Sequence, residues 1–264
     1  MRSGTPERPP REERSRKTTK PGKERLDVLV VERGLAASRE RAQGLVLAGE
    51  VRVNGALVDK PGTQVPTDAR IEVVGETLRF ASRAGLKLEG ALEDFGVSPR
   101  NKVCMDVGSS TGGFTDCLLQ HGATKVYAVD VTIAQLNWKL HQDPRVVTVE
   151  RNARYLRPKD IGETVGFVTV DVSFISVTKI LPAIVPLAAA RADFLILIKP
   201  QFELEKREVG KGGIVRDTSL HDRAIARVTA AAKDAGLDII GVRPSQVAGA
   251  EGNQEFFLHG RRTA

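Results

Sequence analysis

The stretch Asp106-Val107-Gly108-Ser109-Ser110-Thr111-Gly112-Gly113-Phe114 decides the fold of this chain. The apolar residues before it, 102–105, predict a strand, and residues 115–120 predict the start of a helix. A strand, a glycine turn and a helix form the first half of a nucleotide-binding α/β unit. Glycine lets the backbone approach a ligand closely and take φ angles that other residues resist. The spacing, Gly108 followed by Gly112 and Gly113, is not that of a dinucleotide fingerprint, and no P-loop motif occurs in the chain. An acid at the strand end beside such a turn suits an adenosyl ligand that carries positive charge. S-adenosylmethionine, with its sulfonium and ammonium groups, is such a ligand.

Outward from this stretch, strands alternate with helices. Residues 126–130, 146–149, 168–171, 194–199, 239–242 and 255–258 read as strands, with helical stretches over 178–190 and 219–235. The alternation predicts an α/β fold: a doubly wound, mostly parallel sheet with its ligand at the carboxyl ends of the strands. Asp106, Asp130, Asp171 and Lys199 each fall at such an end, a set that packing alone does not explain. Asp130 lies about twenty residues past the glycine turn, where an acid meets ribose hydroxyls. Asn152, after the third strand, is placed either to meet the adenine or as an exposed loop residue. Ahead of the turn, Leu86, Leu88, Leu92 and Phe95 suggest a helix packed on the sheet, with Lys87 opposite that stripe.

The chain has 264 residues, of which 41% are hydrophobic, enough for one medium or two small packed domains. Cys104 and Cys117 lack a metal-ligand or redox spacing and read as core residues in a reducing cytoplasm. The longest apolar stretch, 180–198, contains Pro182, Pro186, Arg191 and Asp193, so it is not a transmembrane span. Residues 1–24 carry eight Lys/Arg and four Asp/Glu with almost no apolar side chain, a disordered basic tail by composition. Such a tail either holds nucleic acid loosely or is a solvated extension. No metal-ligand cluster is visible.

From Arg25 the pattern changes. Residues 25–32 have the density of a short buried helix that Gly34 can stop. Ser38 reads as the N-cap of a second helix with Ala42, Leu45 and Val46 on one face, ended by Gly49. Residues 51–58 alternate around Asn54-Gly55, a hairpin with a type I′ turn, and 70–74 offer another strand. Two short helices and a hairpin within 25–75 resemble the S-four-type RNA-binding fold. Arg39 and Arg41 sit in the first turn of the second helix, where the dipole disfavours cations unless a phosphate lies there. Solvated surface charge is the alternative. This segment holds seven Lys/Arg and seven Asp/Glu, so RNA binding must come from charge placement. Residues 76–81 read as a linker, and the second domain runs over 82–264.

Residues 25 to about 260 resemble the TlyA family of ribosomal RNA 2′-O-methyltransferases, whose members have also been labelled haemolysins. The stretches that carry this are Ser82-Arg83 with 85–88, residues 106–116, Val129-Asp130-Val131, residues 171–176, 199–203 and 210–217, and Gly252-Asn253 with Glu255. The chain departs from the family at Thr132-Ile133-Ala134, where a glycine-containing stretch is usual. The resemblance implies an FtsJ-like methyltransferase domain that uses S-adenosylmethionine and acts on ribosomal RNA or subunits. It implies a tetrad of Lys87, Asp171, Lys199 and Glu255. It also implies cofactor contacts by Asp106, Gly108, Ser110, Thr111, Gly112, Gly113, Phe114, Asp130, Val131, Asn152 and Asp171. A ribose 2′-hydroxyl must lose its proton as it attacks the methyl group. Lys199 is the expected base, Asp171 its orienter, and Lys87 and Glu255 the groups that position the ribose. The lysine must shed its own proton to act, and a neighbouring cation such as Lys87 favours that.

Arg25, Arg39, Arg41, Arg83, Lys206, Arg207, Lys211 and Arg216 are the expected RNA contacts, the last four on a glycine-rich loop that would clamp RNA or close over the site. Three other readings stand beside this one. They are a non-catalytic ribosome-assembly factor, a methyltransferase acting on protein or small molecules, and a pore-forming haemolysin. The βαβ pattern is wrong for a barrel.

Overall fold

In the computed structural model the chain forms two compact units, one reaching Thr77 and the other starting at Leu78. The structure describes residues 22–36, 38–47, 49–73, 79–249 and 252–263. The expected tail lies outside these, save its last three residues, as does the first half of the expected linker.

The first unit contains β1 (Lys23–Arg25), α1 (Leu26–Glu32), α2 (Arg39–Leu47), β2 (Val51–Val53), β3 (Ala56–Leu57), β4 (Gln64–Pro66) and β5 (Ile71–Val73). Strands β3-β2-β5 form one sheet, and β1 pairs with β4 in a second. Asn54 and Gly55 both have positive φ, 52° and 82°, as a type I′ turn requires. Ser38 Oγ accepts the Arg41 backbone N–H at 3.2 Å, the expected cap. Two expectations change. Lys23 and Glu24, ahead of the expected boundary at Arg25, belong to β1, which pairs antiparallel with β4. Arg25 itself ends that strand instead of opening the helix.

The second unit contains α3 (Ala84–Phe95), β6 (Val103–Val107), α4 (Gly113–Gln120), β7 (Lys125–Asp130), α5 (Trp138–Gln142), β8 (Val146–Glu150), α6 (Pro158–Ile161), β9 (Val165–Val170), α7 (Leu181–Ile184), β10 (Ala188–Ile198), α8 (Pro200–Glu203), α9 (Thr218–Asp234), β11 (Leu237–Pro244) and β12 (Phe256–Arg262). Its seven strands run in the order β11-β12-β10-β9-β6-β7-β8. Strands β6 to β10 pair in parallel, and β12 runs antiparallel to both β10 and β11. Side chains alternate between the two faces as a strand demands. Met105, Val107 and Val129 pack on one face, while Cys104, Val126 and Ala128 pack on the other. The chain winds outward from β6 to β8 and then returns to lay β9 on the other side of β6. That reversal opens a crevice at the carboxyl ends of β6 and β9, the switch point of a doubly wound sheet.

The helix expected over 178–190 is broken. Short 3₁₀ turns at Val177–Lys179 and Val185–Leu187 flank the single turn of α7, and Ala188 already belongs to β10. Pro182 and Pro186 cause this, since each lacks an N–H and is tolerated only in the first turn of its own segment. Leu86, expected in the apolar stripe of α3, is exposed, whereas Leu88 and Leu92 are buried. Phe80, in the expected linker, is a core residue packed against Gly85.

At the edge of the sheet away from the crevice, buried Asp193 on β10 collects three donors. These are Lys102 Nζ at 2.9 Å, His259 Nε2 at 3.1 Å and Arg261 at 2.9 Å. Burial alone would push this carboxyl up, but the three hydrogen bonds together hold it well below the usual range. His259 and Arg261 both belong to β12, so this network pins the register of β12 on β10. The stabilisation is present at neutral pH and fades as pH falls below the ordinary carboxylate range. Asp193→Ala is expected to lower stability by about 3 kcal/mol at pH 7. The gap between variant and parent, followed by chemical denaturation, should narrow on acidification.

Candidate active site

The site is built where β6, β9, β10 and β12 end or begin at one edge. After β6 the chain turns through Gly108 and Gly112, with φ of 88° and 92°, and Ser110, with φ of 47°. A Cβ on Gly108 would stand 2.0 Å from the Asp171 carbonyl oxygen. One on Gly113 would stand 2.3 Å from Ser82 Oγ, and one on Gly112 would stand 2.2 Å from Leu140. The glycines are therefore required by the contacts of the turn as well as by its dihedrals.

A cleft of about 140 Å³ over this turn is lined by Gly108, Ser110, Thr111, Gly113, Phe114, Asp171, Ser173 and Lys199, together with Ser82, Ala84 and Ser109. A second opening, about 500 Å³, lies past β7 and β8 and is lined by Val131, Glu150, Arg151, Asn152, Tyr155 and Arg157. Asp130 is tied to the turn, accepting the Ser110 N–H at 2.9 Å and the Thr132 N–H at 3.3 Å. Asn152 caps a 3₁₀ turn by accepting the Arg154 N–H at 3.0 Å. The divergent Thr132-Ile133-Ala134 segment is held by Glu150, whose Oε2 accepts the Ile133 N–H at 3.3 Å.

Asp106 does not line either opening. It is fully buried beneath the turn, accepting hydroxyls from Thr115 at 2.7 Å and Thr169 at 2.9 Å. Burial pushes its carboxyl up to about 7, against the pull of those two hydrogen bonds. The structure thus places this expected cofactor residue beneath the turn and outside both openings. Its periodicity on β6, beside inward Cys104 and Ala128, points it into the sheet's face.

Four ionisable groups form two pairs. Lys199 Nζ pairs with Asp171 Oδ1 and donates to Ser173 Oγ at 3.1 Å. Lys87 Nζ donates to Glu255 Oε2 at 2.6 Å, with the lysine side chain 12% exposed and the glutamate 3%. Lys87 is thus an interior ion pair and not a solvated charge. Ile198 faces Phe256 in the antiparallel β10–β12 ladder, so the residues flanking that pair, Lys199 and Glu255, come to the same edge. Lys199 and Asp171 line the glycine cleft, whereas Lys87 and Glu255 do not.

Of the expected RNA contacts in the first unit, Arg25 and Arg39 share the buried carboxylate of Asp27. Arg25 reaches both oxygens at 2.9 Å, Arg39 Nε reaches Oδ2 at 3.0 Å, and Gln43 reaches it at 2.8 Å. Arg25 above all, with Gln43 and Arg39, holds that carboxyl well below the usual range. The dipole penalty on Arg39 is thereby met inside the protein and needs no phosphate to balance it. Arg41, Arg83, Lys206, Arg207 and Arg216 are exposed, and Arg207 pairs with Glu205 at 2.8 Å. The side chain of Lys211 lies outside the described residues.

Four further side chains near the site were given no role in the sequence reading, although Ser173, Phe174 and Asn253 lie in the stretches that carry the family resemblance. Ser173 touches Lys199. Ser109 Oγ is buried in the cleft with no hydrogen-bond partner among the described residues. Asn253 is buried, accepting the Val215 N–H at 2.9 Å and donating to the Gly213 carbonyl at 2.8 Å, which ties the glycine-rich loop to the segment before Glu255. Phe174 is 93% exposed with φ of 64°, an unusual backbone for an aromatic residue, and packs tilted on Phe202 at 5.4 Å. Only the glycines around Asn253 hinted at such an anchor.

A glycine turn at the switch point, acids at strand ends and lysine–carboxylate pairs beside the cleft define a nucleotide-binding transferase of the methyltransferase class. A family model described as FtsJ-like methyltransferase matches residues 80–262, and an S4 domain model matches residues 24–71. The chain is 46% identical to the 16S/23S rRNA (cytidine-2'-O)-methyltransferase TlyA of Mycobacterium tuberculosis, over 89% of this chain and 88% of that one. It is 44% identical to Hemolysin A of Brachyspira hyodysenteriae, over 89% of this chain and 98% of that one. A solved structure from Streptococcus thermophilus that carries a hemolysin name superposes with a TM-score of 0.72 at 44% identity, covering 92% of this chain and 89% of that one. This chain belongs to the FtsJ-like methyltransferase family, in the group whose members carry an S4 domain and include TlyA. Among the described residues no helix is long and apolar enough to cross a membrane.

S-adenosylmethionine, the donor of this class, suits the residues present. The orphaned Ser109 hydroxyl seeks a partner in the cleft, the glycines leave room for close approach, and Asp171 offers negative charge. Gly108→Ala is expected to abolish donor binding in calorimetry and to lower the melting temperature, because a Cβ cannot coexist with the Asp171 carbonyl at that distance.

Proposed function

We propose that this enzyme methylates the ribose 2′-hydroxyl of a cytidine in ribosomal RNA of the small subunit, the large subunit or both. The observation that carries the reading is the Lys199–Asp171 pair lining the same cleft as the glycine turn. A base and a donor site share one cavity there, as transfer to a hydroxyl requires. The TlyA relative named as a cytidine-2'-O-methyltransferase supports the acceptor. Ribosomal RNA as substrate would place the protein in the cytoplasm.

When bound, S-adenosylmethionine supplies a methyl group on a positively charged sulfonium. Gly108, Ser109, Ser110, Thr111 and Phe114 would hold it over the turn, with Asp130, Val131 and Asn152 toward its adenosine end. Lys199, as the free amine with its own proton given up to solvent, would take the proton of the 2′-hydroxyl at Nζ, leaving that oxygen as the nucleophile toward the donor's methyl group. Asp171 and Ser173 fix where that amine points. The Lys87–Glu255 pair is held rigidly at the neighbouring strand end and positions the ribose. The chain's contribution is mainly alignment of an in-line displacement. Phe174 presents its ring to solvent one residue beyond Ser173, where an unstacked base can rest on it.

The test is transfer of labelled methyl to unmodified ribosomal subunits, followed by alkaline hydrolysis. A 2′-O-methyl blocks cleavage at its own linkage, so label is expected in an alkali-resistant dinucleotide. Label in mononucleotides would mean base methylation and would overturn the proposal. Lys199→Ala is expected to abolish transfer while calorimetry still detects S-adenosylmethionine binding. Phe174→Ala is expected to raise KM for the RNA about tenfold, the scale of one base–aromatic stack. Phe174→Trp should keep KM near the parent value.

A further inference from the structure

We propose that Glu203 is a positioning residue, a buried clamp that fastens the loop carrying Asp171 to the loop carrying Lys199. The proposal rests on the reaction proposed above and adds a residue outside the tetrad to it. Glu203 is 3% exposed and ends α8, four residues past Lys199. Its Oε2 accepts the Ser176 hydroxyl at 2.5 Å, and its Oε1 accepts the Val177 N–H at 2.8 Å. Ser176 lies five residues past Asp171. The two loops leave adjacent strands, β9 and β10, and the sheet holds them only up to its edge. Beyond that edge Lys199 joins them near their start, through Asp171 and Ser173, and Glu203 joins them again at their far ends.

The loop needs such an anchor. Phe174, midway between Asp171 and Ser176, takes a left-handed backbone that a bulky residue resists. Such a conformation persists only where its surroundings hold it. Phe202, the neighbour of Glu203, supplies a ring contact to Phe174, so two successive residues of α8 grip the same loop. The Glu203 end is itself fixed, since Arg227 on α9 donates to the Glu203 carbonyl at 2.8 Å.

The chemistry of the clamp explains why an acid sits there. Both partners can donate, so the position calls for two acceptor atoms at one spacing, which a carboxylate provides. Burial pushes the Glu203 carboxyl up, partly opposed by the Ser176 and Val177 hydrogen bonds. A purely packing role would not place an acid in so desolvated a position. A glutamine can serve in part. Its oxygen accepts from Val177, and its NH₂ can donate to Ser176 Oγ, which then donates to Thr178 Oγ1, 2.7 Å away.

The experiment compares the full chain with Glu203→Ala, Glu203→Gln, Ser176→Ala and the Glu203→Ala/Ser176→Ala pair. Methyl transfer to ribosomal subunits is measured at a fixed interval below each melting temperature. Misplacement of a reacting group by a fraction of an ångström to an ångström costs about 10- to 100-fold, so Glu203→Ala should lose kcat on that scale. KM for RNA and the Kd for S-adenosylmethionine should stay near the parent values. Glu203→Gln should recover most of kcat, and the double variant should be no slower than Glu203→Ala, because both changes cut one clamp. Parent-like kcat in folded Glu203→Ala, or multiplicative losses in the double variant, would overturn the proposal. If Glu203→Ala does not fold, Ser176→Ala decides, with reduced kcat at constant KM supporting the clamp and unchanged kcat overturning it. Amide hydrogen exchange reads the clamp without turnover. Faster exchange in Ser176→Ala at residues 173–177, with β9 unchanged, supports it, and unchanged exchange there overturns it. An inactive parent whose variants still show that exchange pattern would sink the proposed reaction and leave the clamp standing.

Discussion

The site depends on the close approach of two backbones, Gly108 after β6 and Asp171 after β9. The Asp171 carbonyl occupies the space that any side chain at 108 would need, and the Asp171 N–H donates to the Val107 carbonyl at 2.9 Å. The parallel ladder therefore runs one residue past each strand's apolar segment and delivers an acid directly against the glycine turn. Shifting either strand apart would widen the cleft and separate Asp171 from the turn it faces. Lys199 follows from the same constraint, because β10 lies beside β9, with Ile196 opposite Val170, and ends at Ile198 on the same side of the sheet.

The opposite edge of the sheet matters equally. Asp193 gathers Lys102, His259 and Arg261, and two of these lie on β12. A strand that slips by one residue turns every side chain to the wrong face. Pinning β12 at that edge therefore determines which residue emerges beside Lys199 at the other, and that residue is Glu255. Buried acids recur through the molecule with different partners. Asp193 and Asp27 are balanced by cations and stay ionised. Asp106 meets only hydroxyls, and burial raises it. Converging cations hold a buried carboxyl low, and burial without them pushes it up.

Much of this was legible in the residues. The glycine turn, the strand-end acids and Lys199, the Asn54-Gly55 hairpin and the Ser38 cap each rest on local chemistry, and the structure carries them with shifts of a residue or two at element ends. The broken segment after Lys179 was written in Pro182 and Pro186, which outrank the apolar periodicity across them. Leu86 misled because a helical stripe is wider than its buried part. Strand β1 was hidden because its partner β4, Gln64–Pro66, has no alternating pattern of its own. The pairing of Arg25 and Arg39 on Asp27 was hidden too, since charge patterns show sign and spacing but not which side chains converge.

By itself the sequence determined most strands of the large sheet and its longer helices, that the sheet is doubly wound, and which ionisable residues stand at strand ends. These follow from periodicities of 2.0 and 3.6 residues and from turn chemistry, all local properties. Only the tertiary structure decided that Lys87 and Glu255 pair, that Asp106 lies under the turn instead of in the cleft, and that Glu203 joins two loops. Those contacts depend on strand order and on the antiparallel insertion of β12. Residues 168 apart in the chain, Lys87 and Glu255, meet there within hydrogen-bonding distance. No local pattern encodes that meeting, because the sheet sums the placement of every strand before it is made.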